Sequence, residues 1–238
     1  SKTIMGQGIM VIGPSGSGKS TSLENLPPKE TFIINVKNKP LPFKGWKNNY
    51  TVLSKDNPGG NYIGSDDPGT IIATMKHVSE KMPQITTLVV EDFQYMGANE
   101  FMNRASETGF AKFTSIAKNI YSVADLHNKL RDNLTVVYLN HDDESTDAMG
   151  DRKVRAKTVG KLVDNVITLE GLFTIVFFTK VKKGKEGMEY VFATQTDGTN
   201  TAKSPKGMFD SLEIPNDLNF AIQKMNEYNK YTKTYINQ

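Results

Sequence analysis

The chain has 238 residues, of which 37% are hydrophobic and 23% are charged, and this composition excludes a disordered or fibrous protein. Lys and Arg number 29 against 26 Asp and Glu, and the net charge of +3 is too small to indicate a nucleic-acid binder by itself. The absence of Cys excludes disulfides, thiolate zinc sites and a cysteine nucleophile. With no internal repeat and no linker, residues 1–238 are predicted to form a single domain.

No stretch of the sequence is long and apolar enough to suggest a membrane span. The longest apolar runs, such as 172–178, are far shorter than the roughly 20 residues that a spanning helix needs. The sequence that begins at Ser1 lacks the apolar core of a secretory signal. A cytoplasmic location without a membrane partner is therefore the default expectation.

Apolar runs and turn residues predict that strands and helices alternate in the first part of the chain. The irregular region 37–69 interrupts this alternation, and Pro68 and Pro83 mark the start and end of one helix. The predicted strands are 8–12, 31–36, 88–90 and 134–139, and the predicted helices are 19–26, 68–82 and 110–131.

The pattern changes after residue 140. A polar loop is predicted at 141–157, followed by a short helical piece near Leu162. The runs 173–181 and 189–194 flank a Lys/Gly-rich turn and predict a β-hairpin, and Asn216 begins a final helix. This order predicts an α/β fold: a mostly parallel sheet with helices on both faces and a C-terminal β-hairpin.

A Gly-rich segment between the first strand and the first helix matches the P-loop pattern G-x-x-x-x-G-K-[ST]. Its glycines allow main-chain N–H groups to turn inward around an anion. Lys19 is predicted to contact the β- and γ-phosphates of ATP, and Ser20 to bind the accompanying Mg²⁺. The predicted nucleotide-binding residues are Gly13, Pro14, Ser15, Gly16, Ser17, Gly18, Lys19, Ser20 and Thr21.

Polar residues also end two of the later strands. Glu91 and Asp92 follow the strand 88–90 and are predicted to hold Mg²⁺ and to polarise the attacking water, with the division between them left open. Asn140 and His141 end the strand 134–139, where a sensor of the γ-phosphate would lie. For Glu91 and Asp92 the alternative is an acidic pair on the surface, and for Asn140 and His141 it is a plain turn at the end of the strand. The predicted catalytic residues are Lys19, Glu91, Asp92, Asn140 and His141.

Besides the P-loop, a set of short segments carries a resemblance to a known family: TFIINV (31–36), KPLPF (39–43), GW (45–46), EDFQY (91–95), KTVGK (157–161), EGLF (170–173), DG (197–198), AKSP (202–205), GMF (207–209) and IPND (214–217). With these segments the chain resembles small bacteriophage-encoded ATPases that have a single RecA-like core and are associated with single-strand-DNA recombination and annealing. The resemblance covers nearly the whole chain and implies a RecA-like P-loop core, ATP hydrolysis, assembly into a homo-oligomer around or along DNA, and cooperation with a single-strand-DNA-binding protein in the host cytoplasm.

The sequence departs from RecA proteins proper at the end of the second strand. Those proteins carry a catalytic Glu there, whereas this chain has Asn35, Val36 and Lys37. Hydrolysis is then expected to depend on Glu91 and Asp92, or to be slow.

A basic segment follows the predicted sensor strand, where RecA-like proteins place a DNA-contacting loop. Residues 151–161 carry five basic side chains against the single acid Asp151, a local charge of +4. Phosphate contacts from such residues supply most sequence-independent affinity for single strands. The alternative is a solvated loop whose charge the upstream acids balance. The predicted DNA-binding residues are Arg152, Lys153, Arg155 and Lys157.

RecA-like assemblies complete each ATP site with a cation from the next subunit. Lys157, Lys161 and Lys203 are candidates for this role here. Lys203 is favoured because its Lys-Ser-Pro segment follows the last predicted strand, where a proline-stiffened chain could project the side chain outward.

Two other functions are compatible with the same motifs. A small-molecule kinase also begins with a P-loop, but it needs an Arg-rich lid and the chain has only four Arg residues. A nucleotide switch or annealing module that binds ATP without hydrolysing it is the other.

Overall fold

A computed structural model of the chain describes residues 6–164 and 167–236. Within them nine strands form one sheet, and six α-helices flank it. The strands are β1 Gln7–Gly13, β2 Thr31–Asn35, β3 Tyr62–Gly64, β4 Thr87–Glu91, β5 Thr135–Thr146, β6 Arg152–Ala156, β7 Ile175–Gly184, β8 Gly187–Ala193 and β9 Glu213–Pro215. The helices are α1 Trp46–Asn49, α2 Pro68–Lys81, α3 Gln94–Asn103, α4 Phe110–Ala124, α5 Lys161–Asp164 and α6 Leu218–Ile236.

The strands follow the order β3-β2-β4-β5-β1-β7-β8-β9, and β6 pairs with β5 outside this row. The strands from β3 to β7 in this row are parallel to their neighbours, whereas β8 and β9 are antiparallel additions at one edge. The predicted α/β class, the mostly parallel sheet and the C-terminal hairpin are confirmed. In addition, β5 lies between the P-loop strand β1 and the acidic strand β4.

The central strands are apolar on both faces, as expected for a parallel sheet covered by helices on both sides. Along β1, Met10 and Ile12 face one core cluster, and Ile9 and Val11 face the other. Helices α2, α3 and α4 pack on the first face, and α6 packs on the second. Two cores that share one sheet hold the carboxyl ends of the parallel strands at a common edge.

The predicted helix at 19–26 is wrong, because the chain forms only a 3-10 turn at Thr21–Leu23. The Ser22 hydroxyl donates to the carbonyl of Lys19 at 2.5 Å, and such local hydrogen bonds compete with a continuing helix. Pro27 and Pro28 then leave too few residues for further turns.

The predicted polar loop at 141–157 is also wrong, because β5 extends to Thr146 and β6 pairs with it in antiparallel register. The turn between the two strands is closed by Asp147, whose carboxylate accepts from the main-chain N–H groups of Met149 and Asp151. A strand prediction based on apolar runs misses such a hairpin, since its sequence is almost entirely polar.

The third difference concerns the helix predicted at 110–131, because the observed helix is shorter than the prediction. Helix α4 ends at Ala124, and a 3-10 turn follows at Leu126–Lys129. The ring Nδ1 of His127 lies 2.7 Å from the Ala124 carbonyl and takes the place of a helical donor. The strands 8–12, 31–36 and 88–90 and the helix 68–82 are confirmed within one to three residues, the strand predicted at 134–139 is confirmed but continues for seven more residues, and α3 was not predicted.

None of the helices among the described residues has the length and apolar character that a membrane span requires.

Candidate functional site

The carboxyl ends of four parallel strands surround one deep cavity. In the sheet register Gly13 of β1 lies beside His141 of β5, and Asn35 of β2 lies beside Glu91 of β4. The cavity has a volume of about 820 Å³, within the roughly 300–1,000 Å³ typical of small-molecule sites. Its lining includes Ser15, Gly16, Gly18, Lys19, Ser20, Thr21, Asn35, Lys39, Glu91, Asp92, His141, Tyr190, Asn216 and Asp217.

The P-loop has the backbone geometry that its glycines make possible. Gly16 and Gly18 have φ angles of 75° and 95°, in the left-handed region that favours glycine. Gly13 is required for another reason, since a Cβ there would lie 1.7 Å from the Thr179 hydroxyl. The main-chain N–H groups of Gly16, Gly18 and Lys19 donate to no acceptor among the described residues. The loop therefore presents free donors to the cavity, as an anion cradle does.

Lys19 lies within this loop and is almost entirely buried. Its ammonium donates to the carbonyls of Gly13 and Pro14, both at 2.7 Å. Burial lowers the pKa of Lys19, and the nearby carboxylates of Glu91 and Asp92 oppose that effect. A buried ammonium whose acceptors are only main-chain carbonyls is well suited to exchange them for phosphate oxygens.

Glu91 contacts the P-loop directly. The Ser20 hydroxyl donates to Glu91 Oε1 at 2.5 Å, and Glu91 Oε2 is buried with no hydrogen-bond partner among the residues that the structure describes. Burial raises the pKa of Glu91 to about 7, because the charged form is poorly solvated there. A bound cation would satisfy the unpartnered oxygen and favour the charged form.

These donors fit Mg²⁺, which prefers oxygen ligands and usually binds proteins through one or two side chains together with phosphate oxygens. Ser20 and Glu91 supply a hydroxyl and a carboxylate at one point of the cavity wall. No group of three or more His, Asp or Glu side chains within residues 6–164 and 167–236 forms a metal site by itself. The ion would therefore be held jointly with the nucleotide.

Asp92 has a different environment from its neighbour. Its φ of 56° is left-handed, which costs a non-glycine residue about 1–2 kcal/mol. The carboxylate is 6% exposed, and Asp92 Oδ2 lies 3.3 Å from the ammonium of Lys39. The strained backbone turns this side chain toward the cavity, whereas Glu91 faces Ser20.

The two predicted sensor residues, Asn140 and His141, lie in different surroundings. His141 lines the cavity, and its ring packs edge-on against Tyr95 with 5.8 Å between ring centroids. Burial lowers the pKa of His141, and the ammonium of Lys19 lowers it further. The buried amide of Asn140 instead donates to the carbonyls of His141 and Lys157, outside the described lining of the cavity. A sensor contact from this strand is thus available to His141 and not to Asn140.

Sequence reasoning missed the part of the cavity lining that lies against the P-loop and comes from the C-terminal part of the chain. Tyr190 of β8 and the Asn216 side chain lie against Gly18, where an added Cβ would approach both. Asp217 accepts from Asn25 at 2.9 Å and from the main-chain N–H of Phe220, so it also begins α6. The helix-start pattern at 216–217 was visible in the sequence. Nothing local indicated that it faces the P-loop, about 200 residues earlier.

Three of the predicted DNA-binding residues, Arg152, Lys153 and Arg155, lie on strand β6 of the β5–β6 hairpin and not on a loop, and Lys157 follows the end of β6. Arg152 pairs with Glu144 at 2.7 Å, and Arg155 pairs with Asp164 at 2.9 Å. Lys153 lies 4.0 Å from Asp147. Acids both upstream and downstream of the segment therefore balance most of this charge, whereas the alternative interpretation named only the upstream acids. Lys157 is exposed, and its main-chain N–H donates to the carbonyl of His141, next to the cavity.

The predicted trans-acting lysines lie apart from the cavity of their own chain. The main chain of Lys203 pairs with Val176 of β7, and its side chain is half-buried. Val176 precedes Thr179, the residue that contacts the P-loop, by three positions along β7. Lys161 is exposed at the start of α5.

No protein-family model and no curated protein matches the chain. Among solved structures, it is similar to a KaiC-like protein, PH0186, from the hyperthermophilic archaeon Pyrococcus horikoshii OT3. The two share 10% sequence identity over 79% of this chain and 78% of that protein, with a TM-score of 0.45.

Proposed function

We propose that this chain binds ATP with Mg²⁺ and hydrolyses it. The observation that carries this proposal is the 2.5 Å hydrogen bond between Ser20 of the P-loop and Glu91 at the tip of β4, inside a cavity with free main-chain donors. This pairing assembles a phosphate cradle and a magnesium ligand at one place. The cavity lining also offers the ring of Tyr190 and the amide of Asn216 to the nucleoside.

The adjacent acids Glu91 and Asp92 are proposed to have different roles in metal binding and in proton transfer. Ser20 and Glu91 would hold Mg²⁺, which when bound neutralises phosphate charge. Asp92 would accept a proton from the attacking water, whose oxygen bonds to the terminal phosphorus as the bond to the bridging oxygen breaks. The electron pair leaves with ADP, and Asp92 later releases the proton to solvent. Lys19 and His141 would stabilise the charge on the transferred phosphoryl group.

The arginines argue against a small-molecule kinase. Arg104 pairs with Glu100 and Glu107, and Arg131 donates to three main-chain carbonyls. Arg152 and Arg155 bind acids near the hairpin. None of the four lines the cavity among the described residues, so no Arg-rich lid stands over the nucleotide.

We further propose that the ATPase acts on single-stranded DNA in recombination or annealing, as a homo-oligomer that cooperates with a single-strand-DNA-binding protein. The resemblance to bacteriophage ATPases with a RecA-like core supports this. So does the position of the basic hairpin, which joins β5 beside His141 and could transmit DNA binding to the cavity.

The test is phosphate release from ATP with and without single-stranded DNA. Magnesium-dependent release that DNA stimulates supports the proposal. Transfer of the phosphate to a small acceptor would indicate a kinase, and tight binding without turnover would indicate a nucleotide switch.

A further inference from the structure

A second lysine faces the reacting end of the cavity, and neither the P-loop motif nor the strand-end acids account for it. Lys39 belongs to the loop after β2, and its ammonium lies 3.3 Å from Asp92 Oδ2. Among the described residues that line the cavity, Lys19 and Lys39 are the lysines, and Arg is absent. Lys19 is buried in the P-loop, whereas the Lys39 side chain is 56% exposed and has room to move.

The loop holds Lys39 in place through a set of specific hydrogen bonds. The buried Asn35 side chain donates to the Lys39 carbonyl at 2.7 Å and accepts from the Asn38 N–H at 2.9 Å. The Tyr62 hydroxyl donates to the Asn38 side chain at 2.8 Å. Pro40 follows directly and restricts the chain further. The base of the Lys39 side chain is thus fixed while its end is free to move.

Backbone strain is concentrated at the same contact. Asn38 and Asp92, each with a φ of 56°, are the two non-glycine residues with positive φ among those described. One immediately precedes Lys39, and the other is its ion-pair partner. Strained residues persist where the surrounding structure imposes them, and they cluster at functional sites.

We propose that Lys39 is a positioning residue that exchanges partners when the triphosphate enters. In the nucleotide-free protein the ammonium binds Asp92, and it then moves to the terminal phosphate and leaves Asp92 free to accept the proton of the attacking water. This inference rests on the proposed ATP site and deepens it. Lys39 then distinguishes ATP from ADP, since ADP lacks the phosphate that draws the ammonium away from Asp92.

The test compares Lys39→Met, Lys39→Arg and the control Lys37→Met. Met keeps the apolar stem and removes the charge, and Lys37 is an exposed neighbour that lies over Tyr95 and outside the cavity lining. Calorimetry with Mg²⁺ measures affinity for ADP and for a non-hydrolysable ATP analogue. Phosphate release measures kcat and KM separately.

We expect Lys39→Met to lower the affinity for the ATP analogue by about tenfold or more, with ADP affinity changed by less than about threefold. Its kcat should fall, Lys39→Arg should restore part of both, and Lys37→Met should resemble the wild type. Equal losses for ADP and the analogue, or no loss for either, would overturn the exchange while leaving the ATP site intact. If the wild type binds neither nucleotide, the proposed function fails and the role of Lys39 fails with it.

Discussion

Glu91 and Asp92 are adjacent in sequence, yet their surroundings differ. Glu91 is buried against Ser20, and one of its oxygens has no partner within the described part of the chain. Asp92 is turned by a left-handed backbone toward Lys39 and the cavity. The sequence left their roles open because nothing local distinguishes two acids at a strand end. The register of β4 and the positive φ of Asp92 separate them.

We therefore expect Glu91→Gln and Asp92→Asn to have different effects. Glu91→Gln removes a charged metal ligand and should weaken magnesium-dependent nucleotide binding. Asp92→Asn keeps a residue that tolerates positive φ, so nucleotide binding should persist while turnover falls by about a hundredfold or more. Calorimetry and phosphate release measure the two quantities, with the exposed Glu80→Gln as control. Equal, small effects from both substitutions would place the water-activating group elsewhere.

His127 provides a pH-dependent contribution to stability away from the site. The ring is buried, stacks on Phe173 with 4.8 Å between centroids, and contacts the Ala124 carbonyl. Burial lowers the pKa of His127 below its ordinary value of 6.5. The unfolded chain therefore binds this proton more readily, and the contribution to stability is lost as the pH falls below about 6.5.

We predict that His127 makes the free energy of unfolding decrease as the pH falls from 7.5 to 5, with a slope of at most about 1.4 kcal/mol per pH unit, whereas the raised pKa of Glu91 contributes a change of the opposite sign. Replacing His127 by Gln should flatten this dependence, although it also lowers stability at neutral pH. Urea denaturation at several pH values measures the slope. The exposed His77→Gln is the matched control, and a slope that His127→Gln leaves unchanged contradicts the assignment.

The elements were predicted unevenly, and the reason is the range of the interactions that form them. The P-loop and the central strands are encoded by local patterns, namely glycine spacing and apolar runs. The β5–β6 hairpin depends on pairing between two polar segments, which leaves no apolar signal. Asn35 and Lys39 were missed as site residues because their placement depends on a loop held by side-chain hydrogen bonds. Tyr190 and Asn216 reach the P-loop only through the fold.

The basic side chains of the β5–β6 hairpin lead to a prediction about DNA binding. Neutralising Arg152, Lys153 and Arg155 together should weaken single-stranded DNA binding for all sequences alike. It should also reduce the slope of the logarithm of the binding constant against the logarithm of the salt concentration, by about 0.7 per lost phosphate contact. Fluorescence anisotropy at several salt concentrations measures both.

The ion pairs of the hairpin allow a converse experiment. If DNA competes with Glu144 for Arg152, then Glu144→Gln should strengthen DNA binding by a few-fold, roughly the value of an exposed ion pair. An unchanged salt slope in the triple variant would mean that the basic residues serve only their acidic partners.

At the level of the whole molecule, the sheet order sets the geometry of the site. Because β5 lies between β1 and β4, the tip of β5 stands between the phosphate cradle and the acids. This places His141 at the cavity and sends the rest of β5 outward as the hairpin. A single domain and any assembly stay predictions.

Assembly is tested by mixing two inactive proteins. If Lys203 acts in trans, Lys203→Ala protein mixed with Lys19→Ala protein should regain some ATPase activity, since some interfaces would pair an intact P-loop with an intact Lys203. The main-chain pairing of Lys203 with Val176 should survive the alanine substitution. No recovery in a mixture shown by light scattering to co-assemble would exclude the trans role.

The most direct measurement is magnesium-dependent phosphate release from ATP by the wild type, Lys19→Ala and the exposed-lysine control Lys29→Ala. Lys19→Ala removes the buried ammonium of the phosphate cradle and leaves both core clusters untouched. We expect it to fold and to lose at least about tenfold in turnover, equivalent to about 1.4 kcal/mol of transition-state stabilisation, while Lys29→Ala behaves as the wild type. Retention of more than about a tenth of the wild-type rate by folded Lys19→Ala protein would contradict the assignment of this cavity as an ATPase site.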